Sequence, residues 1–205
     1  MSKYVIVGSG GHARSLLDTL SNFEGAELYV LSHPDVPTNF AAMEISKAIA
    51  VQNQADFSFV IGIGKRSIRN RLIAQLLEVI SVERFPSIIH PTAYVSKSAQ
   101  VGFGSQILGQ SYIGPNTVIG NFALLNTRVV IEHDSEIGPQ SVISPGVIVA
   151  GSTAIGENCF IGMGANISND ISIGSGSTIS ANVFVSRDLE ATSFVNFSVL
   201  DGYQN

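Results

Sequence analysis

From Ile89 onward the chain repeats itself every six residues. Stepping by six gives Ile89, Val95, Val101, Ile107, Ile113, Ile119, Leu125, Ile131, Ile137, Ile143, Val149, Ile155, Ile161, Ile167, Ile173, Ile179 and Val185, a branched aliphatic every time and without an insertion. The next residue is often glycine, and the fourth residue beyond each aliphatic is small or β-branched, as in Ala93, Ser105, Thr117 and Ala123. A period of six fits neither a 3.6-residue helix nor the two-residue alternation of an ordinary strand. Such a chain can satisfy its backbone and bury one aliphatic per hexad by winding as a solenoid of short strands, each coil bonded to the next.

The residues before the repeat follow a different pattern. Short β-rich runs (YVIVG, ELYVL, FSFVIGIG, VERF) alternate with helical patterns (HARSLLDTLSNF, RSIRNRLIAQLLEVI), which calls for a parallel sheet with right-handed crossovers. The expected fold class is therefore α/β plus all-β: a small Rossmann-like parallel-sheet domain over residues 1–86, a repeat domain over 87–187 and a tail over 188–205. The first domain is long enough for only about half of a doubly wound fold, so a full dinucleotide is not expected. Charge divides the chain similarly. Up to Pro91 eight basic residues balance eight acidic ones, whereas from Thr92 onward there are three basic and eight acidic. A net charge of −5 excludes a nucleic-acid partner held by bulk charge. No apolar run reaches the roughly 18 residues of a membrane span, and the amino terminus meets glycines too early for a signal-peptide core. A cytoplasmic protein is expected. One cysteine, Cys159, excludes an internal disulfide and a multi-cysteine metal site.

The uninterrupted hexads resemble the hexapeptide-repeat left-handed β-helix, in which three hexads make one triangular coil. Residue n then lies under residue n+18, about 4.8 Å away, and the repeat supplies just over five coils. Of the four histidines only His133 lies well inside this repeat, at the third position of its hexad, near a corner where side chains project outward. An imidazole flanked by Glu132 and Asp134 suits a general base near neutral pH, with a carboxylate to orient its other nitrogen; a surface histidine among solvated acids has the same spacing. Eighteen residues on stands Gly151, whose N–H is expected one rung above the imidazole as an oxyanion donor, although a glycine needed only for a corner turn reads the same. Asn126 is expected beneath Ser144, beside the same cleft. Cys159 occupies a small-residue slot and is expected to pack inward, away from any nucleophilic role.

Two segments of the amino-terminal domain suit an anion. Gly8-Ser9-Gly10-Gly11-His12 follows a strand and opens a helix, so its N–H groups and the helix dipole point at a phosphate; an interdomain or capping role for His12 is the competing reading. Lys65 and Arg66 follow a second strand at another helix start, where they suit a pyrophosphate, while Arg69 and Arg71 read as a solvated helix face.

The stretches GSGGHARSLLD, IGIGKRSIR, SIIHPTAYVS and LLNTRVVIEHDSEIG, spread over nearly the whole chain, resemble the bacterial sugar O- and N-acyltransferases of the sialic acid O-acetyltransferase and bacillosamine-pathway acetyltransferase type. The resemblance implies a homotrimer with acetyl-CoA between neighbouring β-helices, a nucleotide-activated amino sugar on the amino-terminal domain, and a role in cell-surface glycan biosynthesis. It implies His133 as catalytic base and Asp134 as the acid that orients it. Gly151 becomes the amide that polarises the thioester, Asn126 and His12 lie near the sugar nucleotide, and Met163 and Ala181 lie along the CoA arm. This chain departs from that family in three places. Ser32 and His33 stand where acids commonly end the second strand, Gln140-Ser141-Val142-Ile143 lacks a second histidine, and Asn196-Phe197-Ser198-Val199-Leu200 replaces the usual closing residues. Acetylation of a hydroxyl, as in the sialic acid branch, and a non-enzymatic sugar-nucleotide scaffold remain as alternatives. A γ-class carbonic anhydrase, which shares the solenoid, needs three histidines around zinc; no metal site is expected.

Overall fold

The computed structural model describes residues 2–31 and 57–196; Ser32, His33 and the closing residues 197–200 lie outside them. At the amino end three strands, β1 (Lys3–Val7), β2 (Glu27–Leu31) and β3 (Phe57–Ile61), form a parallel sheet in the order β2-β1-β3. Helix α1 (Gly11–Ser21) follows β1 and helix α2 (Arg66–Leu77) follows β3. Because β2 and β3 flank β1 on opposite sides, the loops leaving β1 and β3 meet at a topological switch point, where α/β sheets open a crevice. The run Val82–Phe85 is not a strand. It forms a 3₁₀ turn over Val82–Arg84 that drives Phe85 into contact with Phe59 and Phe122, and the sheet gains no fourth strand from it.

Beyond Ile88 the chain is a left-handed parallel β-helix. Its two-residue strands stack in three sheets of seven, six and five. The register is eighteen residues up to Val185, with Ile131 between Ile113 and Val149 and Ile137 between Ile119 and Ile155. The expected period thus holds through Val185. The winding then runs one rung further than the hexads, with Phe194–Val195 on Thr178–Ile179, a step shortened by two residues.

The aliphatic of each hexad points inward to a continuous core. The small slot explains itself as well. Ser105, Ser111, Thr117 and Ser141 are buried, and each hydroxyl donates to a carbonyl fifteen residues on, at 2.7–3.0 Å. These hydroxyls satisfy corner carbonyls that the short strands leave unpaired. Every sixth residue from Gly104 to Asn182 turns the corner with a positive φ. Those turns cost least with glycine, asparagine or aspartate, and Asn116, Asp134, Asn158, Asp170 and Asn182 are among them.

The amino-terminal domain covers the first face of the prism, where Ile88, Gln106, Leu124 and Val142 are buried. Leu108 and Ile88 join a core with α1, and Phe122 joins one with β3 and α2. Among the described residues nothing but the β-helix itself contributes to the second face, between Tyr94 and Phe184. Tyr94, Ile148 and Phe184 are 58%, 45% and 63% exposed there, and Tyr94 stacks on Tyr112.

Candidate active site

His133 sits at the corner between the second and third faces. Its Nδ1 lies 2.8 Å from Asp134 Oδ2, and Asp134 Oδ1 accepts a 2.9 Å hydrogen bond from the Asn116 side-chain amide. Asp134 is the corner residue itself, with φ 56°, and its own N–H donates to Pro115 O. That turn aims the carboxylate back at the ring. The bonds from Asn116, and then from His133, hold the Asp134 carboxyl below the usual range. An ionised acid on Nδ1 keeps the proton there and leaves Nε2 as the free basic lone pair. The imidazole is 59% exposed, so Nε2 is open to a substrate. Asn116 was not among the residues singled out in the sequence. Its signal was present, since it lies eighteen residues before Asp134.

Gly151 lies directly over this ring. A β-carbon built on it would fall 2.6 Å from Cε1 and 2.7 Å from Nε2 of His133. The position carries no positive φ, so close approach, not the turn, is what requires a glycine. Gly114, one rung below, is crowded by backbone and not by the ring: its β-carbon would meet the backbone N of His133 at 2.8 Å.

Asn126 is placed differently from the expectation of one shared cleft. It stacks under Ser144 as expected, but at the corner between the first and second faces, with strand Val130–Ile131 between it and His133. Its side-chain amide donates to Ile143 O at 2.9 Å. Below it opens a cleft of roughly 370 Å³ against α1, lined by Asp18, Thr19, His90, Thr92, Gln110 and Thr127. Because it lies between α1 and the β-helix, this cleft depends on how the two units dock, and the sequence reading missed it.

The anion candidates of the first domain meet at the switch point, although much of their hydrogen-bonding capacity is already used. Gly8 has φ 123°, and a β-carbon on it would sit 2.8 Å from Gly62 O, so the two loops are in contact. Gly10 precedes α1 as its cap and Gly11 begins it. His12 binds across the domain junction: its Nε2 lies 2.7 Å from Gln106 Oε1, while Gln106 Nε2 donates to Ile61 O. Since the Gln106 amide nitrogen is thus oriented, its oxygen accepts and His12 Nε2 carries the proton. Burial, opposed by this bond, pulls the His12 pKa down to about 4, so the ring is neutral at pH 7. The interdomain reading of His12 is the one the contacts support. Arg66, expected at a pyrophosphate, instead donates to Asn158 O and Ser177 O and to Thr178 Oγ1 on the β-helix. Lys65 caps α2 and is exposed. Arg69 overturns the expectation of a solvated face. It is fully buried on the inner side of α2, and none of its three guanidinium nitrogens has a hydrogen-bond partner among the described residues.

Two family models match: the PglD N-terminal domain over residues 3–76 and the bacterial transferase hexapeptide (six repeats) over residues 152–187. The curated UDP-N-acetylbacillosamine N-acetyltransferase of Bacillus subtilis (strain 168) is 32% identical over 124 residues, 53% of this chain and 52% of that protein. The match thus spans about half the length of that curated relative. Among solved structures, the acetyltransferase domain of PglB from Neisseria gonorrhoeae FA1090, in complex with acetyl coenzyme A, is 26% identical, covers 94% of each chain and superposes with a TM-score of 0.81. PerB from Caulobacter crescentus, in complex with CoA and GDP-perosamine, is 27% identical, covers 95% of this chain and 93% of that one, and gives a TM-score of 0.84.

The chain is thus similar, at its amino-terminal domain and in its repeats, to hexapeptide-repeat sugar acetyltransferases.

Two residues expected along the CoA arm of such an acyltransferase, Met163 and Ala181, are exposed and lie one above the other in the eighteen-residue register. They stand on the Asn126 corner, not the His133 corner. In one chain, therefore, the acyltransferase candidates divide between two edges of the second face. Cys159 is buried, and burial pushes its thiol pKa up, which leaves it no part as a nucleophile.

Proposed function

We propose that this protein is an acetyl-CoA-dependent N-acetyltransferase acting on a nucleotide-linked amino sugar in the cytoplasm, as a homotrimer whose sites form between neighbouring β-helices. The observation that carries the reading is the His133 constellation: Nδ1 tied to an ionised Asp134, Nε2 free, and the Gly151 main chain against the ring. The curated relative is named for the same transfer, and the solved relatives hold acetyl-CoA, or CoA together with an amino-sugar nucleotide.

In this mechanism the sugar amine attacks the thioester carbonyl while His133 Nε2 takes the proton it sheds. The Gly151 N–H donates to the developing oxyanion, and collapse of the tetrahedral intermediate releases the CoA thiolate, which recovers the proton from the imidazolium. No covalent enzyme intermediate is required. The division of candidates between two corners supports assembly. His133 of one chain and Asn126, Met163 and Ala181 of its neighbour enclose one ligand only if the exposed apolar second face is buried against another copy. The cleft between α1 and the β-helix, lined by Asp18, His90, Gln110 and Thr127, is the space offered to the sugar nucleotide; the Gly8–His12 turn and Lys65 do not line it and stand as phosphate candidates at the switch point.

The test is thiol release from acetyl-CoA with a panel of UDP-, dTDP- and GDP-linked amino sugars, on wild type and His133→Ala. At least one sugar should turn over, and the variant should lose at least ~10²-fold in rate. Unchanged turnover would eliminate His133 as the base, and a monomer by light scattering would eliminate the shared site.

A further inference from the structure

The repeat domain is poor in cations, and the one it places best lies in line with His133. Beyond Arg128 the sequence contains a single basic residue, Arg187. The corner holding His133 continues upward through Gly151 and Asn169 to Arg187, which follows Val185 by two residues as His133 follows Ile131, although its turn is two residues shorter and brings Leu189 onto Ile173; three rungs make a climb of about 14 Å at ~4.8 Å per rung. The same corner continues downward through Pro115 to Lys97.

The two directions differ chemically. Upward, Gly151 offers an N–H and no side chain. Downward, Pro115 has no N–H to offer. A pantetheine arm, with its two amides, is better served by the upward path. Its length also fits. Thioester sulfur and first phosphorus are thirteen bonds apart, the span of about four extended residues, or about 15 Å. A thioester carbonyl at His133 therefore brings the phosphates to Arg187. Arg187 is exposed, makes no hydrogen bond or ion pair among the described residues, and borders a surface hollow with Phe184, Ser186 and Leu189. The acids beside this path are occupied: Asp170 is bonded to the Asn169 amide, and Asp188 Oδ1 accepts the Ser172 N–H at 2.8 Å.

We propose that Arg187 binds the phosphates of the acyl donor and so sets the preference for a CoA thioester over a phosphate-free thioester. The inference rests on the acyl-transfer reading above and adds the donor subsite to it. A guanidinium presents two parallel N–H donors to a phosphate, and the contact lies too far from the carbonyl to change the chemical step.

The experiment compares acetyl-CoA with S-acetylpantetheine on wild type, Arg187→Ala and Arg187→Lys. Arg187→Ala should raise the acetyl-CoA KM about tenfold with kcat within twofold, and leave the S-acetylpantetheine KM unchanged. Arg187→Lys should recover most of the acetyl-CoA KM. Equal effects on both donors, or none on either, would overturn the proposal. Calorimetric binding of CoA and of pantetheine to the same three proteins keeps the test independent of turnover. Loss of CoA affinity in Arg187→Ala, with pantetheine unaffected, supports the subsite even if every sugar in the panel fails. CoA binding that ignores the substitution refutes it even if transfer is confirmed.

Discussion

Gly151→Ala is the sharpest perturbation of the His133 constellation, because it adds one methyl group and deletes nothing. The new carbon would fall 2.6 Å from Cε1, 2.7 Å from Nε2 and 3.1 Å from Nδ1 of His133. Ordinary carbon contacts begin near 3.5 Å, so the ring must retreat by about 1 Å. The backbone accepts alanine, since position 151 has no positive φ, and the ring is exposed enough to move into solvent. The fold should therefore hardly notice, with stability changed by less than about 0.5 kcal/mol. The 2.8 Å bond to Asp134 should not survive the shift. A displacement of that size at a reacting group costs on the order of 10²-fold in rate, while the Gly151 N–H itself is retained. Steady-state kcat/KM and a thermal melt on the same preparations measure both quantities. In a His133→Ala background the substitution should cost little more, because there is no ring left to displace. Wild-type kcat/KM in Gly151→Ala, or an equal loss in both backgrounds, would show that the glycine does not act by making room for the imidazole.

Two further outcomes concern the domain junction. Arg69 is a buried cation whose guanidinium has no acceptor among the described residues, and burying an unpaired charge opposes folding; Arg69→Met should leave the denaturation midpoint unchanged or raise it, and a clear fall would reveal an acceptor. His12 has a pKa of about 4 in the fold against 6.5 unfolded. Between those values the unfolded chain holds more protons, so stability should rise as pH climbs from about 4 to 6.5 and then level off, by up to about 3 kcal/mol. Denaturant titrations across that range should show the slope in wild type and a weaker one in His12→Asn; identical slopes would place the titration elsewhere.

The β-helix was legible from sequence because each hexad meets the same local demands: an inward aliphatic, a small inward slot and a left-handed corner. A stack of equal rungs converts those demands into a register, which is why the sequence alone pairs His133 with Gly151. The same arithmetic would have found Asn116 beneath Asp134, and would have placed Met163 and Ala181 on a different corner from His133. His12, Arg66 and Arg69 were harder. Their spacing on helix starts suits an anion or solvent, and nothing local says that Gln106, Asn158 and Thr178 lie opposite two of them or that a protein interior surrounds the third.

What the amino-acid order alone determined is the periodic part: where the coils begin, which residue lies above which, and that a histidine, an aspartate and a glycine share one edge. Only the tertiary structure decided which face of the prism the first domain covers. That docking took up the His12 and Arg66 hydrogen bonds and opened the cleft beside α1. The difference is physical. Rung-on-rung stacking is a nearest-neighbour interaction repeated at constant spacing, whereas the joining of two unlike surfaces depends on shapes and hydrogen-bonding groups brought together from distant parts of the chain.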